Sequence, residues 1–446
     1  MMTASRVRWR LSSALLAPIL GVTLGLAVVF APATGAFVIA LAATVLGLFA
    51  LSRVLGAPDE AVVRRRTLSW TVGTFVFHVA AGLVVWNVAS LTKYLGPDAL
   101  SYQANATAIL QHWTSGTLLP SSLAAGKNGF SYMLAGLYRI FGNHPDIGIV
   151  VNAAFGAALI PVLFDVTRRQ FGTEAARAVP PLLILVPGFA LWPSQLLREP
   201  GVYLLIAIAF DCAVRLSAKT SMTALLTMSG SLALLLTFRA DVAFLVAAGL
   251  VTALMIGSRR AVKGFVTGGA MATLLIGLVI TAGLGYGGYH LITSTTFQQV
   301  NAVHQGSAQT ASGFGVSTDI ASPVKSARYL PLGLTYFMLG PFPWQIHGLR
   351  QLPAVPDVLV WWFLLPSLWR GVRAAARRYG RGVVLNVLPP LVLAGLLALI
   401  FTNFGTIVRE RMQVILLLVP LVSLGWSCRH ERTRRSTRHG SQQAAV

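Results

Sequence analysis

Acidic residues are scarce in this chain: 13 in 446, against 35 lysines and arginines, with charged residues making up only 11% of the whole. Hydrophobic residues make up 55%, so too little polar sequence remains to cover a water-soluble core of this size. Cysteine is scarcer still. Cys212 and Cys428 lie in or beside apolar runs with no C-x-x-C spacing, which gives neither a disulfide nor a zinc signature. There is no D-x-D, no H-x-x-x-H and no phosphate-cradling Walker loop. Nothing therefore supports a metal site, a cofactor or ATP-driven transport. No internal repeat is visible either.

What the chain does have is long apolar runs. Twelve can be marked, roughly at 12–31, 34–52, 68–91, 146–165, 177–192, 200–216, 221–238, 241–257, 263–285, 355–369, 383–402 and 411–427. Several approach the ~20 residues that a bilayer crossing needs. With the N-terminus in the cytoplasm, 25 of the 35 basic residues fall inside and 10 outside. That asymmetry is the positive-inside signature of a multi-pass membrane protein. The net charge of +22 is thereby explained without nucleic acid, because the basic clusters cap apolar spans where they meet anionic headgroups. The expectation is an all-α polytopic bundle of about 12 transmembrane helices, a single domain over 1–446, in the plasma membrane with both termini cytoplasmic. Ala31-Pro32-Ala33 faintly resembles a signal-peptidase site. The stretch before it exceeds the ~7–15 residues of a signal core and a second span follows at once, which reads as a retained helical hairpin.

Two outer loops are long, Thr92–Pro145 and Leu291–Pro356. In the first, Gly96-Pro97-Asp98 stops the preceding helix. Ala99–Trp113 then places Tyr102, Ala106, Ile109, Leu110 and Trp113 on one face, the pattern of an amphipathic helix at the membrane surface. Phe130–Phe141, closed by Gly142, predicts a second interfacial helix. The second loop opens with Ser294–Ser322, rich in Thr, Ser, Gln and Gly, which reads as a flexible lid. Leu330–Leu339 reads as a re-entrant or surface helix, because a full crossing there would put Arg370, Arg373, Arg377, Arg378 and Arg381 outside.

The outer face keeps a small charged set: Asp98, Lys127, Arg198, Glu199, Arg239, Asp241, Lys325, Arg328, Arg409, Glu410 and Arg411. Ionisable groups near a membrane are functional candidates because burying one costs about 2.5–3.5 kcal/mol even on insertion scales. A mostly cationic set around a few carboxylates suits a membrane-held phosphate, which arginine can chelate through two oxygens. Each residue also has a plainer role. Asp98 suits a helix N-cap, Glu199 a helix start, Arg239 with Asp241 a local ion pair, and Arg409-Glu410-Arg411 a solvated cap. His112 reads as an interfacial polar residue and His78 as a helix–helix hydrogen-bond partner.

In their order and sidedness these elements resemble the GT-C superfamily of membrane glycosyltransferases, most closely the bacterial relatives of the protein O-mannosyltransferases. The likeness covers about 70–240 and reappears near 328–345 and 402–427. It rests on Pro97-Asp98-Ala99-Leu100-Ser101-Tyr102, Leu137-Tyr138-Arg139-Ile140-Phe141-Gly142, Leu197-Arg198-Glu199-Pro200 and Phe238-Arg239-Ala240-Asp241. Pro341-Phe342-Pro343-Trp344 and Asn403-Phe404-Gly405-Thr406 with Arg409 and Arg411 complete it. Many members carry two acids together in the first loop, whereas here Ala99 follows Asp98.

The resemblance implies transfer of a sugar from a polyprenyl phosphate to an acceptor hydroxyl of a protein, glycan or lipid on the outer face, by a single inverting displacement. Asp98 would be the catalytic base. Tyr102, Lys127, Arg198, Glu199, Arg239, Asp241, Lys325, Arg328, Arg409 and Arg411 would bind substrate. The alternatives are a polysaccharide polymerase or O-antigen-ligase-like enzyme using polyprenyl pyrophosphate, and a lipid or solute transporter. The early Asp98 loop argues against the first. The absence of a two-fold repeat, with Asp211 alone in mid-span, argues against the second.

Overall fold

Apolar runs at helical spacing do become helices here. The computed structural model describes residues 41, 44–51, 60–120, 123, 128–257, 268–269, 271, 295–309, 313, 318–346, 352 and 354–443. Regular structure among the described residues is helical, apart from one isolated bridge between Gly313 and Asn403. In chain order the helices are α1 (Ala61–Asn87), α2 (Ala89–Leu95), α3 (Asp98–Ser115), α4 (Gly129–Phe141), α5 (Pro145–Phe171), α6 (Thr173–Ala176), α7 (Val179–Leu185) and α8 (Pro187–Leu191). They continue as α9 (Glu199–Ala218), α10 (Met222–Phe238), α11 (Ala240–Gly257), α12 (Thr295–Ala308), α13 (Pro323–Leu339), α14 (Ala354–Tyr379), α15 (Val384–Ile400) and α16 (Phe404–Gln443). Among the described residues α1, α5, α9 and α11 are each long and apolar enough to cross a membrane, and α10 and α15 are shorter apolar helices. The chain is an all-helical, multi-pass membrane protein. The spans expected at 12–31 and 263–285, and most of 34–52, lie outside the described residues, as does Lys127.

The chain divides into two compact units, Met1–Val162 with Phe189–Leu204, and Leu163–Gly188 with Leu205–Val446. In the first, Phe75, Val76, Val79 and Leu83 of α1 pack on Val150, Ala153, Ala157 and Ala158 of α5. The alanines let the two backbones approach, as close packing in lipid requires. Along α1, Thr67 and Thr71 return their hydroxyls to the carbonyls of Val63 and Thr67 at 3.0 and 2.9 Å, so neither is left unsatisfied. In the same unit α3 packs on α4, with Tyr102 edge-on to Phe130 at 5.0 Å between ring centroids.

In the second unit α14 and α16 cross at a pair of glycines. A side-chain carbon on Gly371 would stand 1.8 Å from the Leu421 carbonyl oxygen, and one on Gly425 1.8 Å from that of Ser367. In the same unit, the buried Asp165 accepts from Arg168 at 2.5 Å, Arg169 at 2.7 Å and Arg215 at 3.2 Å. Asp211 accepts from Arg215 at 2.8 Å, an i,i+4 pair within α9. Asp211 is therefore not a lone intramembrane charge but one of two acids paired with three arginines.

Two expectations need correction. The apolar run at 177–192 is not one continuous helix. It breaks at Val186, which is extended, because Pro187 cannot donate the next helical hydrogen bond and disfavours helical geometry in the residue before it. The polar stretch 294–322 is not all loop, since α12 occupies its first half. His304 of α12 is buried edge-on to Tyr329 and donates from Nδ1 to the Leu399 carbonyl at 2.7 Å. Thr402 donates to the His304 carbonyl at 2.7 Å, and Asn301 accepts from the Ile320 amide at 2.9 Å. These few polar contacts, rather than an apolar face, hold the segment on α13 and α15.

Candidate functional site

Asp98 opens α3 directly beyond the membrane span, with its carboxylate half-buried in the first helical turn, where the helix dipole favours negative charge. The N-cap position itself belongs to Pro97, so Asp98 is the first residue of the helix. Ala99, Ala106 and Ile109 are the buried face of α3. Tyr102, half-buried, leans on α4, and Tyr138 of α4 donates to Gln103. Burial pushes the Tyr138 hydroxyl pKa up, with the nearby Asp146 charge adding to it, so Tyr138 stays a protonated donor.

Arg198 and Glu199 stand at the start of α9, and Pro193–Leu197 leads into them. This leader is seated on glycine. A side-chain carbon on Gly156, Gly82, Gly96 or Gly148 would lie 2.4, 2.4, 1.9 and 2.3 Å from Pro193, Ser194, Gln195 and Leu196 respectively. Asn152 of α5 donates from Nδ2 to the carbonyls of Gln195 and Leu197, at 2.6 and 2.7 Å, and so fixes the leader at two points. Glu199 is buried, and Arg198 is half-buried with Nε lacking a hydrogen-bond partner. Gly96 belongs to the turn that delivers Asp98. Two elements about 100 residues apart in sequence are thus packed on each other within the first unit.

The second unit gathers a different set. Arg239, 3% exposed at the turn between α10 and α11, donates to both oxygens of Asp241, at 3.2 and 2.7 Å, and to Glu410 of α16. Glu410 in turn accepts from Gln413 at 2.6 Å. Burial works against the Arg239 charge, but Glu410 and Asp241 overcome it and hold the pKa well above the ordinary value. The local ion pair expected for Arg239 and Asp241 therefore forms, and Glu410 joins it. Arg411 is fully buried. It donates to Asp357 at 3.0 Å and to the Gly340 carbonyl at 2.6 Å, ending α13, while the Gly188 amide donates to Asp357 at 3.0 Å. Expected at the solvated face, Arg411 is instead a structural tie, because its fork geometry can serve carbonyls and a carboxylate at once. The motifs around Arg239, Pro341 and Arg409 are joined through these bonds.

Of the remaining candidates, Lys325 and Arg328 are exposed on the first turns of α13. Lys325 pairs with Asp319, whose carboxyl it holds below the usual range through their hydrogen bond, aided by the Ala321 amide. Among the described residues Arg328 makes no ion pair. Arg409 is half-buried in the second turn of α16. Sequence reasoning missed Asp357, Gln195, Asn152 and His304. Asp357 carried a usable signal, an acid just inside an apolar span. Gln195, Asn152 and His304 carried none, since their partners are distant in sequence.

No protein-family model matches the chain, and no curated protein matches it in sequence. Among solved structures it is similar to two crystal structures of ArnT from Cupriavidus metallidurans. The form bound to undecaprenyl phosphate is 14% identical, with a TM-score of 0.49 over 78% of this chain and 60% of that one. The apo form is 14% identical, with a TM-score of 0.36 over 79% of this chain and 77% of that one. The chain thus spans 60% of the length of the first of these. Similarity at this level assigns it to no family.

Proposed function

We propose that the protein is a GT-C-type membrane glycosyltransferase, akin to the bacterial relatives of the protein O-mannosyltransferases, which moves a sugar from a polyprenyl phosphate to an acceptor hydroxyl on the outer face. The observation that carries the reading is the packing of the Asp98 turn on the leader of Arg198-Glu199. It puts a half-buried carboxylate and a half-buried guanidinium on abutting segments at the end of a membrane span.

The chemistry asks for little more. Asp98 accepts the proton of the acceptor hydroxyl as that oxygen attacks the anomeric carbon. The bond from the anomeric carbon to the phosphate oxygen breaks, the lipid phosphate leaves with the electron pair, and the configuration inverts. Phosphate is a weak base, so its departure needs cations rather than a proton donor. Arg198, on the segment that abuts the Asp98 turn, is the cation assigned to that task. Arg239 and Arg411 act in support, since their charges are met by Asp241, Glu410 and Asp357. Tyr102 and Glu199, on the same two segments, are assigned to substrate binding.

The test is sugar transfer by purified protein in nanodiscs, screening polyprenyl-phosphate hexoses and pentoses. Asp98→Asn should bind the donor that the wild type consumes and lower kcat by about 10²–10⁴-fold. A variant as active as wild type would leave Asp98 a helix-start residue and remove this mechanism.

A further inference from the structure

Gln195 is 3% exposed, yet neither atom of its side-chain amide has a hydrogen-bond partner in the protein. A buried amide with no partner costs free energy that a protein seldom leaves unspent. Its surroundings are specific. The side chain lies so close over Gly96 that a side-chain carbon there would meet Oε1 at 1.9 Å. Beside it is a cavity of about 10 Å³, lined by Thr92, Gly96, Ala99, Ile149, Ser194 and Gln195 among others. That is about the room needed for one water. Thr92, across the cavity, already gives its hydroxyl to the Val85 carbonyl at 2.6 Å. Gly96 and Ala99 bracket Pro97 and Asp98, and their backbones are tied by the Ala99 amide donating to the Gly96 carbonyl at 3.0 Å.

A glutamine buried this expensively, clamped through its own carbonyl by Asn152, and aimed under the turn that starts α3, has one evident use. We infer that Gln195 is a positioning residue for Asp98: its amide, completed by a single water in the cavity beneath Gly96, holds the turn that sets where the Asp98 carboxylate stands. One water can donate to Oε1 and accept from Nε2, which leaves it one hydrogen and one lone pair for the backbone of the turn. The inference rests on the transferase reading for its catalytic consequence but not for its geometry.

The experiment therefore has two arms, run on the full-length protein with Gln195→Met, Gly96→Ala and Asp98→Asn. Hydrogen–deuterium exchange over residues 92–102 reads the turn directly. Gln195→Met removes the amide at near-constant volume, and Gly96→Ala displaces it from the other side. Both should quicken exchange there while the thermal unfolding of the whole protein stays close to wild type. In the transfer assay both should lower kcat by about 10- to 100-fold, the scale of a misplaced catalytic group, with KM for the lipid donor little changed. The acid limb of the pH–rate profile should move with them, and Gln195→Glu should restore part of the rate. Wild-type exchange in Gln195→Met overturns the inference, as does wild-type kcat in that variant when Asp98→Asn is inactive. Quickened exchange together with a fully active Asp98→Asn keeps the positioning contact and removes the role of Asp98 as base instead.

Discussion

Asp357 and Arg411 show how much a single buried charge pair decides here. Both are at most 1% exposed, and each is the other's counter-charge. Asp357→Ala leaves the Arg411 guanidinium buried and uncompensated, at a loss of about 3–5 kcal/mol. The expected readout is a markedly lower unfolding temperature for the purified variant. Asp357→Asn, which keeps an acceptor for Arg411, should lose less; equal losses would show that charge rather than hydrogen bonding is at stake. His304 offers a prediction in pH. Burial holds its imidazole below the ordinary 6.5, with the Leu399 carbonyl opposing, and buried Nε2 has no acceptor for a second proton. The neutral form is thus the folded form. Its contribution to holding α12 is complete above pH 6.5 and is lost as pH falls through 6.5 toward the lowered value. Protease sensitivity of residues 295–322 should rise over that fall, and His304→Gln should flatten the response. An identical profile in both proteins would assign the change to another group.

Elements in this chain were legible wherever apolar period and length agreed. α9, α10, α11 and α15 begin and end within a few residues of the runs at 200–216, 221–238, 241–257 and 383–402. The amphipathic stretch Ala99–Trp113 is α3, and Phe130–Phe141 is α4. Legibility failed at α12, whose polar sequence has no face to mark, and at 177–192, where Pro187 outweighs the apolar run. Close packing between elements was illegible too. Ser367 and Leu421 look ordinary in sequence, but their carbonyls lie where a side chain at Gly425 or Gly371 would go. Gly371→Leu should therefore force α14 and α16 apart, at a cost of about 1–3 kcal/mol or more from overpacking. Thermal unfolding in detergent would read it. A neutral outcome would mean that the crossing can slide.

At the scale of the whole molecule the sequence makes a prediction of sidedness: with the N-terminus in the cytoplasm, 25 of the 35 basic residues fall on the inner side. In a cysteine-free background, Lys325→Cys should react with an impermeant maleimide on intact cells. Lys219→Cys should react only after permeabilisation. Both positions are exposed, so access to the reagent rather than burial decides the result. The opposite pattern would invert the topology and with it the outer-face reaction.

Composition, run length and charge bias are properties of the chain itself, and by themselves they determined that this is an all-helical, multi-pass membrane protein. They also picked out Asp98 and Arg198-Glu199 as the residues to watch, because charge beside a membrane is costly enough to need a reason. The tertiary structure decided which charges have partners. Arg239 meets Asp241 and Glu410, and Arg411 meets Asp357 across 54 positions of sequence. It also decided that Gln195 lies beneath Gly96. Such pairings depend on distances between residues remote in the chain, and local periodicity carries no record of them.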